Sequence, residues 1–291
     1  MCKPFIKWAG GKSQLLEEIR LKYPANIEKY CEPFVGGGAV LFDILDKFSP
    51  KKVLINDINS ELINTYMQIK NNANELISIL CKYQKQYDKS DENERQDIYY
   101  KKRQRFNELI IKCEKKDLID KAAIFIFLNK TCFNGLYRVN SEGFYNVPKG
   151  NYKKPLICDE ENILQISKKL KNVSIKCGDF AKCESFIDDN SFVYIDPPYR
   201  PLTKSAMFTS YCKEQFNDEE QVRLGNFINT LNIKGAKIVL SNSDPKNVDK
   251  DDNFFDDLYK DYSIDRIMAK RMINSNGSKR GMVTELLVAN Y

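Results

Sequence analysis

The chain has 291 residues, 42% hydrophobic and 30% charged, with a net charge of +6; that length suits one elaborated domain or two, and the mild positive excess tolerates a polyanionic partner without requiring one. It has no His and nine Cys, none in a C-x-x-C pair, which argues against zinc sites and a disulfide framework and excludes every His-dependent triad or general base. No apolar run approaches the roughly 18 residues of a membrane span, and Met1-Cys2-Lys3-Pro4-Phe5 lacks a signal-peptide core, so a cytoplasmic protein with no metal and no membrane partner is expected.

The first informative stretch is Phe5-Ile6-Lys7-Trp8-Ala9-Gly10-Gly11-Lys12-Ser13, followed by helical apolar spacing at Leu15, Leu16 and Ile19. Gly11-Lys12-Ser13 imitates the end of a P-loop, but the position where that motif needs its first glycine is Ile6, so an ATPase reading is rejected. A Gly-Gly turn capping a short helix would explain the segment plainly, and the single Trp beside it raises it above that. Next, Tyr30-Cys31-Glu32-Pro33-Phe34-Val35-Gly36-Gly37-Gly38 and a helix over Ala39–Lys47 read as strand, glycine turn, helix. Three glycines let a ligand approach the backbone at a helix start. The pattern is not G-x-G-x-x-G, which disfavours a dinucleotide. A strand over Lys52–Asn56 ends in Asp57, about 20 residues past the glycines, where an acid meets ribose hydroxyls in such folds.

From Ser60 to about Lys130 glycine disappears and apolar residues fall at helical spacing, as in Leu62, Tyr66, Ile69, Phe106, Leu109 and Ile110. This segment is expected to be a separate helical insert, with Asp91 to Arg95 an exposed linker between helices. The cations at Lys101, Lys102, Arg103 and Arg105 read as a solvated face. Two short strands around a Gly turn are then expected: Asn129-Lys130-Thr131-Cys132-Phe133-Asn134-Gly135-Leu136-Tyr137-Arg138-Val139-Asn140, then Ser141-Glu142-Gly143, then Phe144 to Gly150. As structure this is an edge hairpin blunted by Lys and Pro; as function it is an element able to enter a major groove.

A strand over Asn172–Cys177 leads to Gly178-Asp179-Phe180, where Asp179 is either a ligand contact or a helix N-cap. The run Phe192-Val193-Tyr194-Ile195 reads as a strand buried on both faces, stopped by Asp196-Pro197-Pro198-Tyr199. An acid, a proline carbonyl and an aromatic ring are therefore presented at a strand's carboxyl end, where open α/β sheets bind ligands. A polar loop from Arg200 to Tyr211, a strand over Lys237–Asn242, an amide-and-cation loop at Ile273–Arg280 and a strand over Thr284–Ala289 complete the chain.

Asp-Pro-Pro-Tyr matches one chemical task. The exocyclic amine of adenine shares its lone pair with the ring. A carboxylate and a carbonyl aimed at its hydrogens would free that pair, and an aromatic ring would hold the base. With these motifs in this order, essentially the whole chain resembles the Dam-type DNA adenine-N6 methyltransferases. The resemblance implies an α/β fold: a seven-stranded Rossmann-like S-adenosylmethionine methyltransferase sheet with a helical target-recognition insert. Residues 1–57 and 153–291 would form the catalytic domain and 58–152 the insert with its DNA-reading hairpin.

By the same resemblance, Asp196, Pro197, Pro198 and Tyr199 would be catalytic. S-adenosylmethionine would meet Trp8, Lys12, Glu32, Phe34, Gly36, Gly38, Asp57, Asp179 and Asp196. Lys7, Phe133, Asn134, Leu136, Arg138, Pro148, Asn276 and Lys279 would face double-stranded DNA, with GATC as the implied site and adenine flipped from the duplex. A restriction endonuclease is an implied partner. Cytosine carbon-5 chemistry is excluded because no Pro-Cys dipeptide occurs. An RNA-adenine or protein-glutamine methyltransferase, which usually has Asn in place of Asp196, competes with this reading, as does a non-catalytic DNA-binding protein of the same fold.

Overall fold

The computed structural model describes residues 2–200, 216–270 and 282–291. Seven strands form one sheet: β1 (Lys29–Glu32), β2 (Lys52–Asp57), β3 (Val173–Cys177), β4 (Ser191–Ile195), β5 (Lys237–Ser243), β6 (Ser263–Lys270) and β7 (Met282–Ala289). Their order is β3-β2-β1-β4-β5-β7-β6. The first five are mutually parallel, and β7 runs antiparallel between β5 and β6. This is the seven-stranded methyltransferase-type sheet that the motif order implied.

The strands are apolar on both sides because helices cover both faces. Side chains alternate along each strand. Tyr30, Ile55, Phe192 and Tyr194 face one core with Phe42, Ile44, Leu62 and Tyr66. Cys31, Leu54, Val193 and Ile195 face the other with Leu224, Phe227 and Leu231. The helices are α1 (Leu16–Arg20), α2 (Ala39–Lys47), α3 (Ser60–Lys89), α4 (Glu92–Ile111), α5 (Leu118–Thr131), α6 (Glu160–Leu170), α7 (Asp218–Ile233) and α8 (Phe254–Leu258). None of them is long and apolar enough to cross a membrane.

Helix α3 begins where the Asn59 side chain accepts from the N–H groups of Glu61 and Leu62, and it bends at Asn72. The expected linker over Asp91–Arg95 is instead the start of α4. Asp91 and Glu94 form a reciprocal capping box, which satisfies two orphan donors and lets the helix begin at once. Helix α5 is buried along almost its whole length, as suits a helix apolar all round. Its Phe125 and Phe127, with Leu76 of α3 and Phe106 of α4, join the same continuous core as one face of the sheet.

Candidate active site

Strand β1 is the topological switch point. The chain leaves it towards β2 on one side, while β4 pairs with it on the other. Loops at the carboxyl ends of β1 and β4 therefore diverge and open a crevice. On the β1 side the glycine loop is held from several directions. The Gly36 N–H donates to Asp57 Oδ2 at 3.0 Å, the Tyr66 hydroxyl donates to the Gly36 carbonyl at 3.0 Å, and the Val35 N–H donates to the Asn56 carbonyl at 2.9 Å. Gly36 and Gly38 have φ of 47° and 76°. A Cβ at Gly36 would sit 2.8 Å from Trp8 Cδ1, and one at Gly38 2.5 Å from the Tyr66 hydroxyl. Both positions thus need glycine for backbone conformation and for space. Asp57 also accepts from the Asn59 N–H at 2.9 Å. Burial pushes its carboxyl up, and these backbone bonds oppose the shift.

On the β4 side, Asp196 Oδ1 lies 2.7 Å from Lys12 Nζ. Lys12 is only 4% exposed. Its ammonium also donates to the Gly10 carbonyl at 2.6 Å and lies 4.6 Å from the Tyr199 ring centroid. Burial pushes the Asp196 carboxyl up to about 6; Lys12 opposes the shift and Glu285 adds to it. The Tyr199 hydroxyl donates to Glu285 on β7. The Pro198 carbonyl accepts from Gln221 Nε2 at 3.1 Å, and Gln221 Oε1 accepts from Asn242 Nδ2 at 3.1 Å. Arg200, directly after the turn, pairs with Asp218 and Asp252, at 2.7 and 2.6 Å. Among the described residues no donor reaches the Pro197 carbonyl. Of two adjacent proline carbonyls, one is engaged and the other has no donor among the described residues.

Glu32 lies beneath the crevice, 2% exposed. It accepts from the Tyr30 hydroxyl at 2.7 Å. Burial raises its carboxyl well above the ordinary range; the Tyr30 bond opposes this, and the charges of Asp196 and Asp57 add to it. Phe34, Phe180 and Phe216 build an aromatic wall, with ring centroids 5.4 Å apart for Phe34–Phe180 and 5.8 Å for Phe34–Phe216. Asp179 beside them caps the 3-10 helix Phe180–Phe186 through the Ala181 N–H. It also takes both ends of the Arg223 guanidinium, at 3.1 and 2.6 Å. That bidentate bond is the largest influence holding its carboxyl below the ordinary range.

The expected hairpin is only loosely paired. Phe133–Gly135 is a 3-10 turn with Asn134 at φ 55°. The strand-like contacts reduce to isolated bridges, Cys132↔Lys149 and Val139↔Tyr145. The physical reason is competition from side chains. Asn140 Oδ1 accepts from the N–H groups of Glu142 and Phe144, and Asn107 Oδ1 accepts from the N–H of Tyr145. The Phe144 N–H is thereby taken from the Asn140 carbonyl it would meet in a regular ladder, while the Tyr145 N–H, on the outer side of the Val139↔Tyr145 bridge, ties the segment to α4.

Phe133 is 53% exposed; Asn134, Arg138 and Pro148 are exposed and Leu136 is half-buried. Arg138 Nε donates to Asn146 Oδ1 at 2.7 Å. Lys7 is exposed and donates to the Tyr152 hydroxyl at 3.1 Å. Asn276, Lys279 and the polar loop after Arg200 lie outside the described residues.

The crevice thus brings together Trp8, Lys12, Glu32, Phe34, Gly36, Gly38, Asp57 and the Asp-Pro-Pro-Tyr turn, while the 133–148 segment forms a separate exposed surface. Sequence reasoning missed Phe180, Phe216, Gln221 and Glu285. Glu285 is 86 residues from the tyrosine it binds, and nothing local marks it. Phe180 follows Asp179 directly, and that adjacency was the available signal. Among the described residues no group of Cys, Asp and Glu is arranged to hold a metal ion.

Residues 8–273 match the family of D12 class N6 adenine-specific DNA methyltransferases. The type II methyltransferase M.MjaIII of Methanocaldococcus jannaschii is 50% identical over 295 residues, covering 99% of each chain. The type II methyltransferase M1.LlaDCHI of Lactococcus lactis subsp. cremoris is 42% identical over 291 residues, 99% of this chain and 95% of that one. The DNA adenine methylase of Escherichia coli K12 is 33% identical over 285 residues, 98% and 94% of the two chains. A match over this much of the chain, joined to an acid-bearing crevice at the switch point, leaves one conclusion: the chain belongs to the D12 class of N6 adenine-specific DNA methyltransferases and is an enzyme that methylates adenine in DNA.

Proposed function

We propose that this enzyme methylates the N6 amine of adenine within GATC in duplex DNA, with the base flipped into the crevice between β1 and β4. The observation that carries this reading is the pair of acceptors at the end of β4. Asp196 offers a carboxylate, and among the described residues the Pro197 carbonyl has no donor while its neighbour at Pro198 is engaged. The two would accept from the two N6 hydrogens and concentrate the lone pair on nitrogen. Tyr199, held by Glu285, would stack on the base. Above about pH 6 Asp196 is ionised and able to receive the surplus proton.

The crevice fits S-adenosylmethionine, the methyl donor the family implies. Gly36 and Gly38 leave the loop free of Cβ atoms on a tightly packed wall. Asp57 uses its two oxygens on two backbone N–H groups and keeps further lone pairs for ribose hydroxyls. Phe34 lines the wall beside Phe180, and Trp8, Lys12, Glu32, Asp179 and Asp196 complete the contact set. When bound, the cofactor supplies an electrophilic methyl group. Residues 1–57 and 153–291 form the catalytic domain in this reading, and 58–152 the helical target-recognition domain.

Lys7, Phe133, Asn134, Leu136, Arg138 and Pro148 would meet the duplex, with Arg138 on a guanine edge. Two of the relatives are named type II methyltransferases, which supports a restriction endonuclease as partner and a cytoplasmic setting. Expression in a methylation-free host tests the reading. DNA from that host should resist nucleases blocked by methyl-adenine in GATC and yield to those that require or tolerate it. Unmodified GATC with methyl-adenine in another context would overturn the site, and no methyl-adenine at all would overturn the activity.

A further inference from the structure

We infer that Tyr137 and Asn129 lock the target-reading segment to the cofactor crevice, so that sequence discrimination and cofactor affinity are coupled through them. The inference rests on the proposed DNA-adenine methylation and adds two positioning residues to it.

Asn129 lies near the end of α5 and is 3% exposed. Its Oδ1 accepts from the Lys7 N–H at 2.8 Å, and its Nδ2 donates to the Lys7 carbonyl at 2.8 Å and to the Gly135 carbonyl at 3.0 Å. One side-chain amide thus holds both backbone groups of Lys7, as a neighbouring strand would, and ties them to the turn that carries Phe133 and Asn134. The contact is close as well as bonded. Gly135 has φ 65°, and a Cβ there would stand 2.5 Å from Lys7 Cδ and 2.6 Å from Lys7 Cβ.

The next residue extends the connection. The Trp8 ring packs on the glycine loop; a Cβ at Gly37 would approach Trp8 Cβ to 3.2 Å, and Gly36 is tighter still. Trp8 also stacks on Tyr137, with centroids 5.9 Å apart and an interplanar angle of 22°. Tyr137 sits between Leu136 and Arg138, the residues proposed to read bases. Its ring is fixed by Phe125 at 5.6 Å and Tyr145 at 5.8 Å. The Tyr145 hydroxyl in turn donates to the Leu136 carbonyl at 3.1 Å. Glycine loop, Trp8, Tyr137 and the base-reading pair are therefore one packed series, and Asn129 closes a second route between the same ends. Close-packed groups move together or change partner rather than deform continuously. A cofactor that settles Trp8 also settles the reader, and linkage requires the converse by the same factor.

The test is a binding cycle with S-adenosylhomocysteine, which cannot react. Its affinity is measured by calorimetry in the presence of a duplex carrying the methylated site and of one altered at a single guanine. The wild type should bind it more tightly with the first, within the range of about 5–150-fold typical of coupled sites. In Tyr137→Leu the ratio should fall towards one, with affinity in the absence of DNA changed less than about threefold and the unfolding transition retained. Tyr137→Phe, which keeps the stacked ring, should retain more of the ratio than Tyr137→Leu. Asn129→Ala should lower it independently.

A ratio of one in the wild type, or an unchanged ratio in both Tyr137→Leu and Asn129→Ala, overturns the inference while leaving the activity intact. Failure to bind S-adenosylhomocysteine or duplex at all would overturn the functional reading and the inference with it.

Discussion

Replacing Lys12 with Met removes the ammonium that lies 2.7 Å from the Asp196 carboxylate. Asp196 is pushed up to about 6, by burial first and against Lys12. Other acids and phenols face it: Glu285 from β7, Glu32 from β1, Tyr194 from β4 and Tyr199 from its own turn. Among the described residues Lys12 is the cation that offsets them, so without it the carboxyl must rise. An adjacent opposite charge lowers a carboxyl by about 1–3 units. Its loss should therefore move the acid limb of kcat/KM from about 6 to about 7–9. At pH 7 the ionised fraction would fall from about nine-tenths to between roughly a half and a hundredth, a loss of about 2- to 100-fold. Activity should return as pH rises through the new value, because the carboxylate is the required form. The assay is the pH dependence of kcat/KM for labelled methyl transfer to duplex DNA, at saturating cofactor so that any change in cofactor affinity drops out. Lys12→Arg should keep the limb near its wild-type position. A Lys12→Met enzyme slowed by one constant factor across the whole pH range would show that the ammonium does not set the charge of Asp196.

Asp196→Ala should lose at least about 100-fold in turnover while retaining duplex affinity; more than a tenth of wild-type turnover in the purified protein would sink its assignment as an acceptor. Asp57→Ala should weaken S-adenosylmethionine binding at least about tenfold, since a charge-assisted bond contributes about 1.5–3 kcal/mol and the Gly36 N–H also loses its partner; unchanged affinity by calorimetry would make Asp57 a loop anchor only. Arg138→Ala should narrow the gap between GATC and sites altered at one guanine by about 1–3 kcal/mol; an equal fall on every duplex, with the salt slope reduced by about one, would assign Arg138 to a phosphate instead.

The legible parts of the sequence were those whose signal is local. Residues 192–195 are four consecutive aromatic or branched side chains ended by two prolines, and they form β4 in the middle of the sheet. A helix from Ala39 to about Lys47 is expected where three glycines stop, and the observed helix runs over Ala39–Lys47. The family's motif order fixed the strand that precedes each ligand loop, although β6 and the helix Asp218–Ile233 carried no motif and went unread. Long-range contacts were also out of reach. Gln221 reaches the Pro198 carbonyl and Glu285 reaches Tyr199 across 23 and 86 residues, and neither position differs locally from an ordinary polar residue on a helix or strand. The hairpin shows the reverse failure. Its turn and its exposed aromatic and cation were legible, but regular strands were not formed, because the Asn140 side chain takes the Phe144 N–H that would continue the ladder.

Electrostatics separates the two surfaces by task. Glu32, Asp57 and Asp196 all have carboxyls raised by burial at the carboxyl ends of adjacent strands, and like charges gathered this way oppose one another's ionisation. Each has a partner of its own, Lys12 for Asp196, the Gly36 and Asn59 N–H groups for Asp57 and the Tyr30 hydroxyl for Glu32, yet three buried carboxyls side by side still carry a desolvation cost. A cationic ligand changes that balance. In the proposed reading the sulfonium of S-adenosylmethionine would bring a positive charge into the crevice and the product left after methyl transfer would not, so these acids would favour the donor over the spent cofactor. In the same reading the duplex, a polyanion, would be met elsewhere, at the exposed turn bearing Phe133, Asn134 and Arg138. Only the neutral base needs to enter the acidic crevice. Flipping would then do more than expose an amine: it would let one enzyme hold a polyanion on one surface while keeping a carboxylate-rich site for a cation on another.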